Sequence, residues 1–169
     1  MSKHLIGLIA LFVIDESVSV DDVNDVLTSG HDYLNGKLPY GPASWIYWLV
    51  SDPPPKDAPK DTRDETKAPI NDLPKAFIGK DLEFCAKYLN KELSSAFLKE
   101  NIVVVLDDRT TKDGSVKVCK FTEALSVEAI RATPRAAALS LSGNVDWVEL
   151  RDHWEHAKEK GNDVIDEKD

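Results

Sequence analysis

The chain has 169 residues, of which 42% are hydrophobic and 30% charged, a balance that fits one folded domain with a substantial core. Its net charge of −9 argues against non-specific nucleic-acid binding, which needs a basic face, and no apolar run is long enough to span a bilayer. Two cysteines, Cys85 and Cys119, form no CxxC pair and read as buried free thiols, which points to a reducing compartment.

Leu5–Ile14 is continuously apolar, contains Ile, Val and Phe, and precedes a helix signal, so it reads as a central strand covered on both faces. Lys3-His4 before this run gives it some likeness to a secretion signal. Asp15-Glu16 directly after the run is what such a signal avoids, so a cytoplasmic protein is expected and a secreted one is the alternative. Ser19 or Asp21 caps a helix to about Gly30, with Val20, Val23, Val26 and Leu27 as its apolar stripe. Gly36 to Pro42 is loop, and Ala43–Val50 is a second strand rich in aromatics. Strand, helix, strand implies a crossover and parallel pairing.

Residues 51–74 hold six of the nine prolines, charges of both signs and few large apolar residues. This stretch reads as a mobile insertion within a single domain of residues 1–169. Helical spacing returns from Asp81 to Leu98. Ile102–Leu106 is a further central strand, and Arg109–Gly114 is turn-like. Val116–Phe121 alternates and forms a hairpin with the preceding strand, and Val127–Ala132 is a short strand. Thr133-Pro134 starts a helix ending near Gly143. Asp146 opens a last one to about Lys160, docked by Trp147 and Trp154. The expected fold is α/β: a mixed sheet of about five strands with helices packed on it.

Two segments carry a family resemblance, VVVLDDRTTKDGSVKVCKF (Val103–Phe121) and LSLSGNVDWVELRDHW (Leu139–Trp154). They resemble a family of small bacterial and fungal proteins catalogued as a domain of unknown function. The likeness covers the C-terminal third to half of the chain, most recognisably Asp108-Arg109-Thr110-Thr111 and Asn144–Trp147. It implies a compact single domain ending in this hairpin and helix, and no activity or catalytic residue.

Three apolar runs break off into acid: at Asp15 after the first strand, at Asp52 after the second, and at Asp107-Asp108 after the third. If the three strands are parallel neighbours, these carboxylates line the edge where open α/β sheets bind ligands. Asp15, Asp52, Asp107 and Asp108 are then candidate ligands for Mg²⁺, since hard cations take carboxylate oxygens, or one of them is a general acid. Each also has an ordinary role as a loop or cap residue. Trp45, Trp48 and Arg109 are candidate binding residues. In a strand Trp45 and Tyr47 face one way and Trp48 the other, so at least one ring can line a surface groove, while core packing is the ordinary role. Arg109 is a cation or the ion-pair partner of Asp108. Glu149, His153 and His156 share a helical face with metal-like spacing, but no third segment visibly converges on them. No GxSxG, P-loop or GxGxxG motif occurs. The expected function is a binding or protein-interaction domain that requires no cofactor and meets a protein or small ligand, not nucleic acid or membrane. The alternative is a small metal-assisted enzyme using the acidic edge.

Overall fold

The computed structural model describes residues 8–37, 45–51, 65–92, 98–122, 126–142 and 147–166. Ten elements follow in chain order: β1 (Leu8–Val13), α1 (Val20–Lys37), β2 (Tyr47–Leu49), α2 (Leu82–Glu92), β3 (Leu98–Leu106), α3 (Asp108–Asp113), β4 (Val116–Phe121), β5 (Val127–Ala132), α4 (Pro134–Ser142) and α5 (Trp147–Glu159). The strands form one sheet in the order β2-β1-β3-β4-β5. Strands β2, β1 and β3 are parallel, while β4 and β5 continue antiparallel. The three apolar runs are thus adjacent parallel strands with β1 in the middle, and the molecule has the expected single α/β fold with a mixed five-stranded sheet. Among the described residues, no helix is long and apolar enough to cross a membrane.

Every residue of β1 is buried because the sheet is covered on both faces. Ile9, Leu11, Val104, Leu106, Val118 and Ile130 face the layer of α1, α4 and α5. Their strand neighbours Ala10, Phe12, Val103, Val105 and Cys119 face α2. This two-residue alternation within continuously apolar strands divides the core into two layers. Cys85 and Cys119 are free and buried in the α2 layer, and burial pushes both thiols up to about 12.

Two elements differ from the expected pattern. Helix α1 passes through Gly30 and continues to Lys37. Gly30 faces α4, where an added Cβ would lie 3.1 Å from the Ala138 Cβ, so the glycine serves close helix packing rather than termination. The turn after β3 is a short helix, α3. Asp107 caps its start, the Thr110 hydroxyl accepts from the Asp107 N–H at 3.1 Å, and Gly114 closes it at φ 75°.

Within 51–74, residues 52–64 lie outside the described residues. Glu65–Pro74 is docked instead of standing free. The Thr66 N–H donates to the Tyr47 carbonyl at 2.8 Å, and its hydroxyl accepts from the Leu49 N–H at 2.8 Å. Asn24 on α1 makes two bonds with the Ile70 backbone, at 2.7 and 3.3 Å. Ala68, Ile70 and Leu73 pack on the α1-side core, which supplies the apolar anchoring that the composition of the whole segment hides.

Candidate functional site

The carboxyl ends of β1, β2 and β3 form the edge singled out by the acidic pattern. The strand order reverses around β1, since β2 and β3 lie on opposite sides of it, and such reversals open crevices in α/β sheets. Here the chain fills much of that edge itself. Residues 65–80 run from the α1 face, where Ile70 meets Asn24, to the end of β1, where the Gly79 N–H donates to the Ile14 carbonyl at 2.8 Å. On the other face Phe77 is buried, with edge-on contacts to Phe12 and Tyr88, each at 4.9 Å between centroids. Helix α3 stands on the end of β3 and is held to the loop before α1 by a bond from the Thr111 hydroxyl to the Ser17 carbonyl at 3.1 Å.

The candidate carboxylates have different surroundings. Asp15 accepts from the Ser17 N–H at 2.9 Å and hydroxyl at 2.5 Å, and the hydroxyl bond is the larger cause of its lowered pKa. Asp107 is buried. The register aligns Val105, Lys117 and Arg131 across three strands, so Asp107, two residues beyond Val105, meets both cations at the sheet end. Arg131 bonds it directly, and the Lys117 Nζ lies 3.1 Å away. Burial raises the Asp107 pKa, but the bonds and charges of Arg131, then Lys117, outweigh it and hold the carboxyl below its ordinary value. Arg131 also donates to the Ser115 hydroxyl at 3.2 Å. Asp108 is exposed and pairs with Lys112 at 2.7 Å. Asp52 lies outside the described residues.

Arg109 does not pair with Asp108. Its guanidinium bridges Asp113 at 2.8 Å and Asp163 at 2.6 Å, fastening α3 to the segment after α5, and these bonds, that to Asp163 first, raise its pKa. Trp45 and Trp48 lie on opposite faces of the sheet. Trp45 stacks on His31 with centroids 4.0 Å apart and packs on the α1-side core; Trp48 packs on the α2 side. His153 and His156 on α5 are exposed. Among the described residues, no group of three or more His, Cys, Asp or Glu side chains is gathered as a metal ion would need.

Two depressions open elsewhere. One of about 240 Å³ lies between α1, α3 and the start of α4, lined by Asp22, Asp25, Ser29, Thr110, Asp113 and Pro134. The other, about 230 Å³, lies between β5 and α5 and is lined by Glu128, Ala129, Ile130, Trp147, Arg151 and Trp154. The sequence announces Trp147 and Trp154 as docking residues of the last helix. It does not announce that Arg151, between them on the same face, joins them along a groove. It also gives no sign that Lys117 and Arg131 reach Asp107, because that meeting depends on cross-strand register. Comparison with known proteins adds no assignment: no protein-family model, no curated protein and no solved structure matches this chain.

Proposed function

We propose that this chain is a binding domain that meets a protein or small-ligand partner and performs no chemistry at its acidic edge. The observation that carries this reading is the employment of the described edge carboxylates. Asp107 neutralises Arg131 and Lys117 and caps α3, Asp108 pairs with Lys112, and Asp15 holds the turn into α1. Each is committed to holding the fold, which supports a scaffold whose contacts with a partner lie on other surfaces.

The test uses the full chain as bait for affinity capture and compares it with Asp15→Asn, a half-buried change, and Asp108→Asn, an exposed one. A binding domain recovers the same partner in near-stoichiometric amount with all three baits, and calorimetry with Mg²⁺ and Mn²⁺ gives no saturable heat. Metal-dependent turnover that is lost in Asp15→Asn would replace this reading with the metal-assisted enzyme.

A further inference from the structure

We infer that the groove between β5 and α5 receives an extended, acidic peptide segment that pairs with β5 as an additional strand. This rests on the binding-domain reading and names its surface and the chemistry of its partner.

The register of β5 sets which way its backbone groups point. The Thr122 N–H donates to the Ser126 carbonyl at 2.9 Å, and the pairing steps from there through Lys120↔Glu128 and Val118↔Ile130. Even-numbered residues of β5 therefore bond to β4, and odd-numbered ones direct their backbone groups outward. The far end of the strand confirms this parity. The Arg131 carbonyl accepts from the Ile165 N–H at 2.9 Å, and the Thr133 N–H donates to the Ile165 carbonyl at 2.8 Å. Residue Ile165 thus adds to the β5 edge in the manner of a parallel strand. One step earlier, Ala129 directs its N–H and C=O the same way, and neither has a backbone partner there among the described residues.

Helix α5 runs beside that open stretch. Trp147, Arg151 and Trp154, at i, i+4 and i+7, line the groove opposite Ala129 and Ile130. Both indole N–H groups are already satisfied, Trp147 by Glu128 at 2.5 Å and Trp154 by the Asp163 carbonyl at 3.0 Å. What the rings offer the groove is apolar surface. An edge strand beside a helix, with free main-chain groups and an apolar slot, is the arrangement that accepts extended peptides by strand addition. At about 230 Å³ the slot suits one or two apolar side chains and falls short of the roughly 300–1,000 Å³ of cofactor-sized pockets. Two charged groups line the groove. The Glu128 carboxylate is engaged by the Trp147 indole, whereas Arg151 is exposed on the wall and has no ion pair among the described residues, so Arg151 is the group left to meet a carboxylate of the occupant. A second copy of the chain fits poorly. Antiparallel pairing of two β5 edges centred on Ala129 would bring Val127 of the copy against Arg131, where Ile165 already sits.

The test titrates the ¹⁵N-labelled full chain with acetylated, amidated hexapeptides of alternating valine and threonine, carrying one glutamate, or one lysine, at each position in turn. The expected result is that the amides of Val127 and Ala129 shift and gain protection from hydrogen exchange. The best glutamate peptide should bind about fivefold or more tighter than the best lysine peptide, and Arg151→Glu should reverse that preference. Ala129→Pro removes the outward N–H at a position where an edge strand tolerates proline, and should abolish the shifts while far-UV circular dichroism stays native. Absence of shifts at Val127 and Ala129 with every peptide at millimolar concentration overturns the proposal, as does equal binding of the two peptide sets. Concentration-dependent self-association abolished by Ala129→Pro overturns it in favour of a second copy. A partner captured with the full chain whose cross-links avoid α5 and β5 defeats this proposal and leaves the binding-domain reading standing.

Discussion

Asp107 joins one carboxylate to two cations and to the start of a helix, in a place where water cannot share the work. Arg131 and Asp107 are each less than a tenth exposed, so removing the Asp107 charge leaves the buried Arg131, and Lys117 beside it, without compensation. Breaking a buried pair in this way costs about 3–5 kcal/mol. Asp107→Asn keeps the shape and part of the cap and is expected near the lower end, about 3 kcal/mol, by urea denaturation at pH 7. The pH dependence has a definite sign. The carboxyl is lowered in the folded chain, so its contribution is complete above the ordinary aspartate pKa of about 3.9 and fades as pH falls through the lower folded value. The stability gap between wild type and Asp107→Asn should therefore be constant from pH 7 to about 5 and close below about 4. A gap unchanged at pH 2.5 would mean that geometry, not charge, carries the effect. Tyr47 presents the opposite situation. Its hydroxyl is buried with no hydrogen-bond partner among the described residues, and burial raises its pKa. A phenol in that position loses its water bonds and gains nothing, so Tyr47→Phe should stabilise the fold by about 1 kcal/mol, read as a higher denaturation midpoint at unchanged slope.

At the scale of elements, the seam between α1 and α4 is set by small residues. Gly30 meets Ala138 at 3.1 Å from where its Cβ would stand, with the Pro134 carbonyl at 3.8 Å and the Tyr47 ring at 3.9 Å around the same point. Gly30→Val inserts three carbons there and should cost about 1–3 kcal/mol through overpacking, although valine exceeds glycine in helix propensity. If α1 gained stability from that change in thermal denaturation, the close seam would have no energetic weight. The same glycine shows where reading the sequence stops. The apolar runs of β1 and β3 declare central strands because full burial on both faces leaves a continuous signature, and the Thr133-Pro134 start of α4 is a local chemical signal. Gly30 looks like a helix stop because helix packing is invisible in one dimension. Helix α3 looks like a turn because six residues are too few to show a period, although Asp107 and Thr110 at N-cap and N3 spell its capping box. The acidic edge was legible as a place and not as a site. That three carboxylate-bearing strand ends are neighbours follows from hydrophobic pattern, whereas which cation each carboxylate meets follows from register and loop path.

For the molecule as a whole, the two open edges of the sheet are managed by segments that are not strands. On the β2 side Thr66 bonds Tyr47 and Leu49, using a backbone N–H and a hydroxyl in place of a ladder. On the β5 side Ile165 closes the last two residues, and the segment carrying it is fixed by Arg109 on Asp163 and by the Trp154 indole on the Asp163 carbonyl. Covering edges in this way prevents chains from pairing with each other. It also makes the residues after α5 part of the fold: Ile165 is buried, and its two ladder bonds end on Thr133 and on Arg131, the residue that neutralises Asp107. Ending the chain at Asn162 should therefore do two things at once. Losing a buried isoleucine side chain, its two backbone bonds and the Asp163 contacts to Arg109 and Trp154 should lower stability by about 3–5 kcal/mol, measured by urea denaturation. It should also free the Arg131 carbonyl and the Thr133 N–H, lengthening the open β5 edge so that the truncated chain self-associates in sedimentation velocity. Ile165→Ala separates the two effects, since it removes the side chain and keeps the backbone bonds: it should lose stability and stay monomeric. Self-association of Ile165→Ala to the same degree as the truncated chain would show that exposed core, and not the uncovered edge, drives the pairing.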